Sequence, residues 1–207
     1  MLVLFVLVFS IMQHKASKLE DANKKLEVKA AELDKINEIK KSIENLDPTY
    51  FKYDSINKRH ELIVDVLFRP GNPEIPNNEN LRNELHNAGL ELSNIVNKIP
   101  DFDNKIKYLV IIEGMAARYN TPSLRWRNSD SRFIESTYIL SYNRAKSLYE
   151  FWQSRGITFN EDVFEIIIAG SGWFGAGRYT GPEEDKNKRF LIQIIPKVGV
   201  INNSGNE

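Results

Sequence analysis

The chain has 207 residues, enough for one domain of ordinary size plus an appendage. Lys plus Arg and Asp plus Glu both number 28, so the formal net charge is zero and the basic excess expected of a nucleic-acid binder is missing. There is no cysteine, which excludes disulfides, thiolate nucleophiles and cysteine-ligated metals together.

Residues 1–14 open with MLVLFVLVFSIM, apolar at every position except Ser10. A full span needs about 20 apolar residues, and this run is shorter. No basic residue precedes it, no small-residue cleavage motif follows it, and it has no polar face. The expectation is the C-terminal part of a transmembrane helix that begins upstream of this numbering; the alternative is a short buried core helix. Lys15 and Lys18 follow the run, which by the positive-inside rule favours a cytoplasmic C-terminal side.

Residues 15–48 read as a long polar helix, free of glycine and proline until Pro48. Leu19, Leu26 and Leu33 recur every seven residues, with Ala22, Ile36 and Ile43 on the same seam and Lys29 and Lys40 interrupting it. Two readings fit: a short coiled coil pairing two copies, or a lone stalk held by i,i+4 pairs such as Glu20 with Lys24.

Residues 50–200 form the predicted globular domain. Residues 61–68, ELIVDVLF, predict a strand closed by the turn-former run at 70–73. An amphipathic helix is predicted over 80–99, with Leu81, Leu85, Ala88, Leu92, Ile95 and Ile99 on one face. A strand over 107–114, a helix over 136–155 capped at Gly156, and strands over 164–169 and 189–195 complete the order β-α-β-α-β-β. That order predicts an α+β fold, a two-layer sandwich with helices on one face of a mixed sheet. Residues 201–207 read as a flexible tail.

Four segments give this order a resemblance. They are Val66-Leu67-Phe68 followed by Glu74-Ile75-Pro76; Ile112-Glu113-Gly114 at the end of a strand; Leu140-Ser141-Tyr142-Asn143-Arg144-Ala145 on a helix; and Gly170-Ser171-Gly172 with Asn187-Lys188-Arg189-Phe190 before the last strand. Together they resemble the OmpA-like peptidoglycan-binding domain, which includes the periplasmic part of MotB-type stator proteins. The third segment is similar to that family's Leu-Ser-x-x-Arg-Ala helix motif, and the resemblance covers roughly residues 62–196. It implies a bacterial inner-membrane protein with its C-terminal domain in the periplasm and the peptidoglycan stem peptide as partner. The layout of apolar stub, helical spacer and domain is also similar to stator subunits. That would add a membrane-embedded helix, a homodimer and a multi-pass membrane partner.

In the family, an arginine on the second helix engages a carboxylate of diaminopimelate, and an aspartate just after the second strand engages the opposite, ammonium end. The arginine falls on Arg144. The aspartate falls on Ala117, because Gly-His-Thr-Asp becomes Gly114-Met115-Ala116-Ala117, and the asparagine ahead of Leu-Ser falls on Thr137. Ala116, Ala117, Thr137, Ser141 and Arg144 are thus the positions the resemblance assigns to ligand binding, with half of the clamp replaced. For Arg144 the residues alone also allow bonding to local backbone or to Glu113.

Residues 118–135 make a long insertion containing Arg118, Arg125, Arg127 and Arg132 around Tyr119 and Trp126, against Asp130 and Glu135. One reading is a ligand loop in which arginines meet carboxylate or phosphate and aromatics stack on a sugar face, with Asp130 substituting for the lost aspartate. The other is a surface loop whose arginines pair with local acids while Trp126 covers the core. The glycine-rich stretch 170–181 lacks the Lys-Ser/Thr pair of a phosphate cradle and predicts a flexible loop with Trp173 and Arg178 exposed. His14, His60 and His86 stand at no metal-ligand spacing, and no nucleophilic or paired-carboxylate arrangement emerges. The sequence therefore predicts a binding protein with no catalytic residue, metal or cofactor. An OmpA-like protein-interaction scaffold is the alternative.

Overall fold

The computed structural model describes residues 2–98 and 106–198 and divides into two units, 1–41 and 42–207. The expected flexible tail lies outside the described residues.

Stub and spacer form one helix, α1, Leu2–Glu44, which ends ahead of Pro48. Apolar side chains of its first turns are open to solvent, from Phe5 at 74% to Met12 at 64%, as are the seam residues Leu19, Leu26 and Leu33. No described helix is long and apolar enough to cross a membrane.

The second unit is an α+β structure, as the element pattern predicts, but with one more strand. Its elements are β1, Phe51–Asp54; β2, Arg59–Leu62; α2, Glu79–Asn97; β3, Ile106–Gly114; α3, Ser131–Ser154; β4, Phe164–Gly170; and β5, Phe190–Val198. The sheet order is β1-β2-β5-β3-β4, with β3 and β4 parallel and all other neighbours antiparallel.

The β1–β2 hairpin is absent from the sequence-based expectation. Its turn is closed by Asp54, whose Oδ1 accepts from the backbone of Ile56 and Asn57 at 3.0 Å. The strand expected at 61–68 is corrected: only Glu61 and Leu62 belong to β2. The β2–β5 ladder ends at the pair Leu62–Phe190, where β5 starts, although Ile63 N still donates to Tyr50 O at 2.9 Å. Beyond it Val64, Val66 and Phe68 are still buried while Ile63, Asp65 and Leu67 are exposed, so the alternation persists without a ladder.

α3 packs tightly on β3 and β4. A Cβ on Gly114 would lie 2.0 Å from Ser141 O, so only glycine lets the helix backbone come this close to the strand end. Tyr108, Val110 and Ile112 lie on the same face as Gly114 and are buried beneath the helices. α2 joins α3 through Trp152, whose Nε1 donates to Leu85 O at 2.7 Å and whose ring occupies the space a Gly89 side chain would take. Leu85, Ala88, Leu92, Val96, Leu148 and Trp152 are fully buried there, completing two layers.

Candidate functional site

α3 carries Arg144 inward because the apolar stripe Ala145, Leu148 and Trp152 must face the sheet, and Arg144 shares that side. Its side chain is 3% exposed. The guanidinium lies 4.4 Å above the Phe68 ring, and Nη1 donates to Met115 O over a long 3.4 Å. Nε has no partner, and among the described residues Arg144 forms no ion pair. Burial alone pushes its pKa down to about 10. The one backbone bond it makes is thus weak and reaches a segment 29 residues away, not its own helix.

Glu113, expected beside this groove, is placed elsewhere. Strand alternation turns it to the sheet face opposite Gly114, where its Oε2 stands 3.5 Å from Arg59. On that face Arg59 also donates to Ala176 O, while Arg189 pairs with Glu61 at 2.6 Å.

The chain segment after β3 is held at every backbone group the structure reports. Met115 N donates to Arg189 O and Ala116 N to Gly172 O, both at 3.0 Å. Arg118 N donates to Glu184 Oε1 at 2.8 Å, Arg178 Nη2 to Ala116 O at 2.9 Å, and Trp173 Nε1 to Ala117 O at 2.8 Å. The expectation of exposed Trp173 and Arg178 is therefore corrected: the indole is 1% exposed, and the Arg178 side chain 10%. Both are drawn inward because the carbonyls of Ala116 and Ala117 need donors once β3 ends.

Glu184, which sequence reasoning did not single out, anchors this clamp. It is 5% exposed and accepts from Arg178 Nη2 at 2.6 Å and from Asn187 Nδ2 at 3.0 Å besides Arg118 N. Burial lowers the Arg178 pKa while the Glu184 carboxylate pulls it back up. Phe68 was likewise visible only as part of a motif, and it forms the floor under Arg144.

Thr137 and Ser141 are buried on α3 beneath the turn after β4. Ser141 Oγ accepts from Gly172 N at 2.8 Å and donates to Tyr138 O at 3.0 Å, while Thr137 Oγ1 donates to Ile134 O at 2.8 Å. The Ser141 hydroxyl thus ties helix to turn, while that of Thr137 is satisfied within α3.

The insertion is ordered around its own aromatics. Tyr119 and Asn128 exchange two hydrogen bonds, 2.9 and 3.0 Å, closing the loop around a 3-10 segment, Pro122–Ser129. Among the described residues Arg127 forms no ion pair and is caged instead by Phe133 at 4.8 Å, Tyr119 at 5.3 Å and Trp126 at 5.5 Å. Asp130 caps α3, which therefore starts five residues earlier than expected, and its carboxylate is taken by Arg132 at 2.9 Å, which holds its pKa low. Arg125 is exposed, with Nε on Asn120 O at 3.0 Å. Arg125, Arg127 and Asp130 thus belong to the N-terminal end of α3, about 20 Å along the helix axis from Arg144 at 1.5 Å per residue.

Among the described residues, no group of three or more His, Asp or Glu side chains could hold a metal ion.

No protein-family model and no curated protein matches the chain. Among solved structures it is similar to a putative MotB-like protein from Desulfovibrio vulgaris, at 12% identity and a TM-score of 0.43, covering 82% of this chain and 96% of that one. It is similar to the periplasmic domain of Helicobacter pylori MotB, residues 90–256, at 15% identity and a TM-score of 0.42, covering 77% and 85%. The cell wall anchor of the T6SS from Pseudomonas aeruginosa gives 14% and 0.43, covering 74% and 97%. Likenesses at this level set no residue roles, which rest on the chain's own geometry.

Proposed function

We propose that this is a membrane-tethered cell-envelope protein whose second unit is an OmpA-like domain that binds peptidoglycan through a carboxylate of the stem peptide. One observation carries the reading. Arg144 stands at the arginine of the Leu-Ser-x-x-Arg-Ala pattern as a buried guanidinium that no acid among the described residues neutralises. A buried cation is costly unless paired, and a ligand carboxylate is the partner that would repay its burial. The exposed apolar side chains between Phe5 and Met12 of α1 support anchoring in lipid, and its exposed leucine seam supports pairing with a second copy. The domain would then face the periplasm, tethered alone or as the wall-anchoring subunit of a stator-like complex with a multi-pass membrane partner.

Ala117 supports a second reading, since it offers no anion for the ammonium of diaminopimelate. Under that reading the domain is an interaction scaffold that docks a protein partner. Co-sedimentation of the full chain with purified sacculi separates the two. The expected result is sedimentation that Arg144→Ala weakens at least tenfold. Absence of sedimentation, with stable recovery of a membrane complex, would replace wall binding by docking.

A further inference from the structure

The insertion presents one large ring to solvent. Trp126 is 54% exposed, whereas Trp152 and Trp173 are 0% and 1% exposed. The ring is not left loose. Ser129 Oγ donates to Trp126 O at 2.9 Å, and the Phe133 ring meets the indole edge-on at 5.6 Å and 89°. Arg127 lies over the indole at 5.5 Å and is itself locked between Tyr119 and Phe133. The indole is thus backed from within and more than half open, so it does not serve as a cover for the core. A flat aromatic face held rigid before binding suits a ligand that is itself flat and apolar on one side while polar at its rim. A pyranose ring has that character, with C–H groups on its face and hydroxyls around it. Arg125, next in sequence and exposed, has guanidinium donors to offer such a rim.

We infer that Trp126 is a sugar-stacking platform that takes an N-acetylated glycan strand, with Arg125 donating to its polar rim. The inference rests on the peptidoglycan reading above and extends it from the stem peptide to the glycan. The spacing supports one extended ligand: Trp126 lies at the N-terminal end of α3 and Arg144 about 20 Å further along it. A polymer that carries peptides at intervals along a sugar chain can touch both; a single small molecule cannot.

The exposure pattern supplies the assay. Because only Trp126 is open to solvent, acrylamide quenching of the full chain's tryptophan emission reports on that ring. Chitohexaose is the glycan probe, and a free stem tetrapeptide is the peptide probe. Chitohexaose should protect the quenchable emission at millimolar concentration. Trp126→Ala should weaken sacculus binding about tenfold, and Trp126→Phe should restore part of it. No protection of the wild-type chain by chitohexaose overturns the inference, even where the stem peptide binds and the peptidoglycan reading stands. Protection by chitohexaose together with no binding of the stem peptide keeps the platform and removes the Arg144 reading. Protection by polyglutamate in place of chitohexaose means an acidic protein surface, and sinks the sugar assignment.

Discussion

Replacing Arg144 with methionine should stabilise the unliganded protein and, on the proposed wall-binding reading, weaken its sedimentation with sacculi. Burial pushes the guanidinium down to about 10, and a displacement of that order costs roughly 3 kcal/mol at neutral pH. Stacking over Phe68 returns about 1–2 kcal/mol. The 3.4 Å contact with Met115 O is too long to add much. Methionine keeps an unbranched side chain over the Phe68 ring, so packing is largely preserved. The net gain is about 1–2 kcal/mol, or roughly 3–6 °C in Tm for a chain of this size. The penalised species is the charged one. Its cost is complete below pH about 10 and is relieved only as pH climbs toward the value of an unfolded guanidinium. The gap between variant and wild type should therefore be flat across the neutral range. Thermal unfolding followed by circular dichroism measures it. A lower Tm for Arg144→Met would show that the guanidinium is already satisfied without ligand, and would remove the reason to seek a carboxylate there.

Two further outcomes follow from buried charge. Glu184→Ala leaves Arg178 buried without its anion and deprives Asn187 and Arg118 N of an acceptor, so it should cost about 3–5 kcal/mol in urea unfolding and open residues 172–187 to protease. His60 is held below its ordinary pKa by burial beside Phe51 and Tyr53, against a smaller upward pull from the end of α1. Its stabilising contribution is complete above the unfolded value of about 6.5 and is lost as pH falls below it, so His60→Leu should flatten the drop in Tm between neutral pH and about pH 5.

Long periodic segments were legible in the sequence because local pattern and tertiary burial agree in them. The faces of α2 and α3 and the apolar runs of β3, β4 and β5 are examples. The β1–β2 hairpin was not legible: FKYD and RHEL are four residues each and mostly polar, and they hold together through pairing with each other and with β5. Residues 63–68 misled for the opposite reason, since an extended chain lying on a core alternates with or without a partner strand. Arg144 was legible through its motif, but its isolation was not, because that depends on where Glu113 points. Trp173 and Arg178 belong to a glycine-rich stretch that looks exposed. Their burial comes from carbonyls more than fifty residues earlier in the chain, which no local pattern reports.

That long-range clamp bears on the alanine at 117. The resemblance expects an aspartate there, and the carbonyls around the alanine are already engaged. Ala117 O is occupied by the Trp173 indole, and Ala116 O by Arg178. Arg178 is neutralised by Glu184, whereas Arg118 is anchored on Trp173 O at 3.2 Å, lies over Phe174 and forms no ion pair among the described residues. The end of β3 therefore carries a cation, Arg118, beside the position where the resemblance would place an anion. An aspartate introduced at 117 would meet that guanidinium and be neutralised by it rather than stand free for an ammonium group. Two guanidinia that form no ion pair among the described residues, Arg144 and Arg118, flank the same short segment. On the proposed wall-binding reading, the matching ligand presents carboxylate or carbonyl oxygen along its length and keeps any free ammonium away from Ala117.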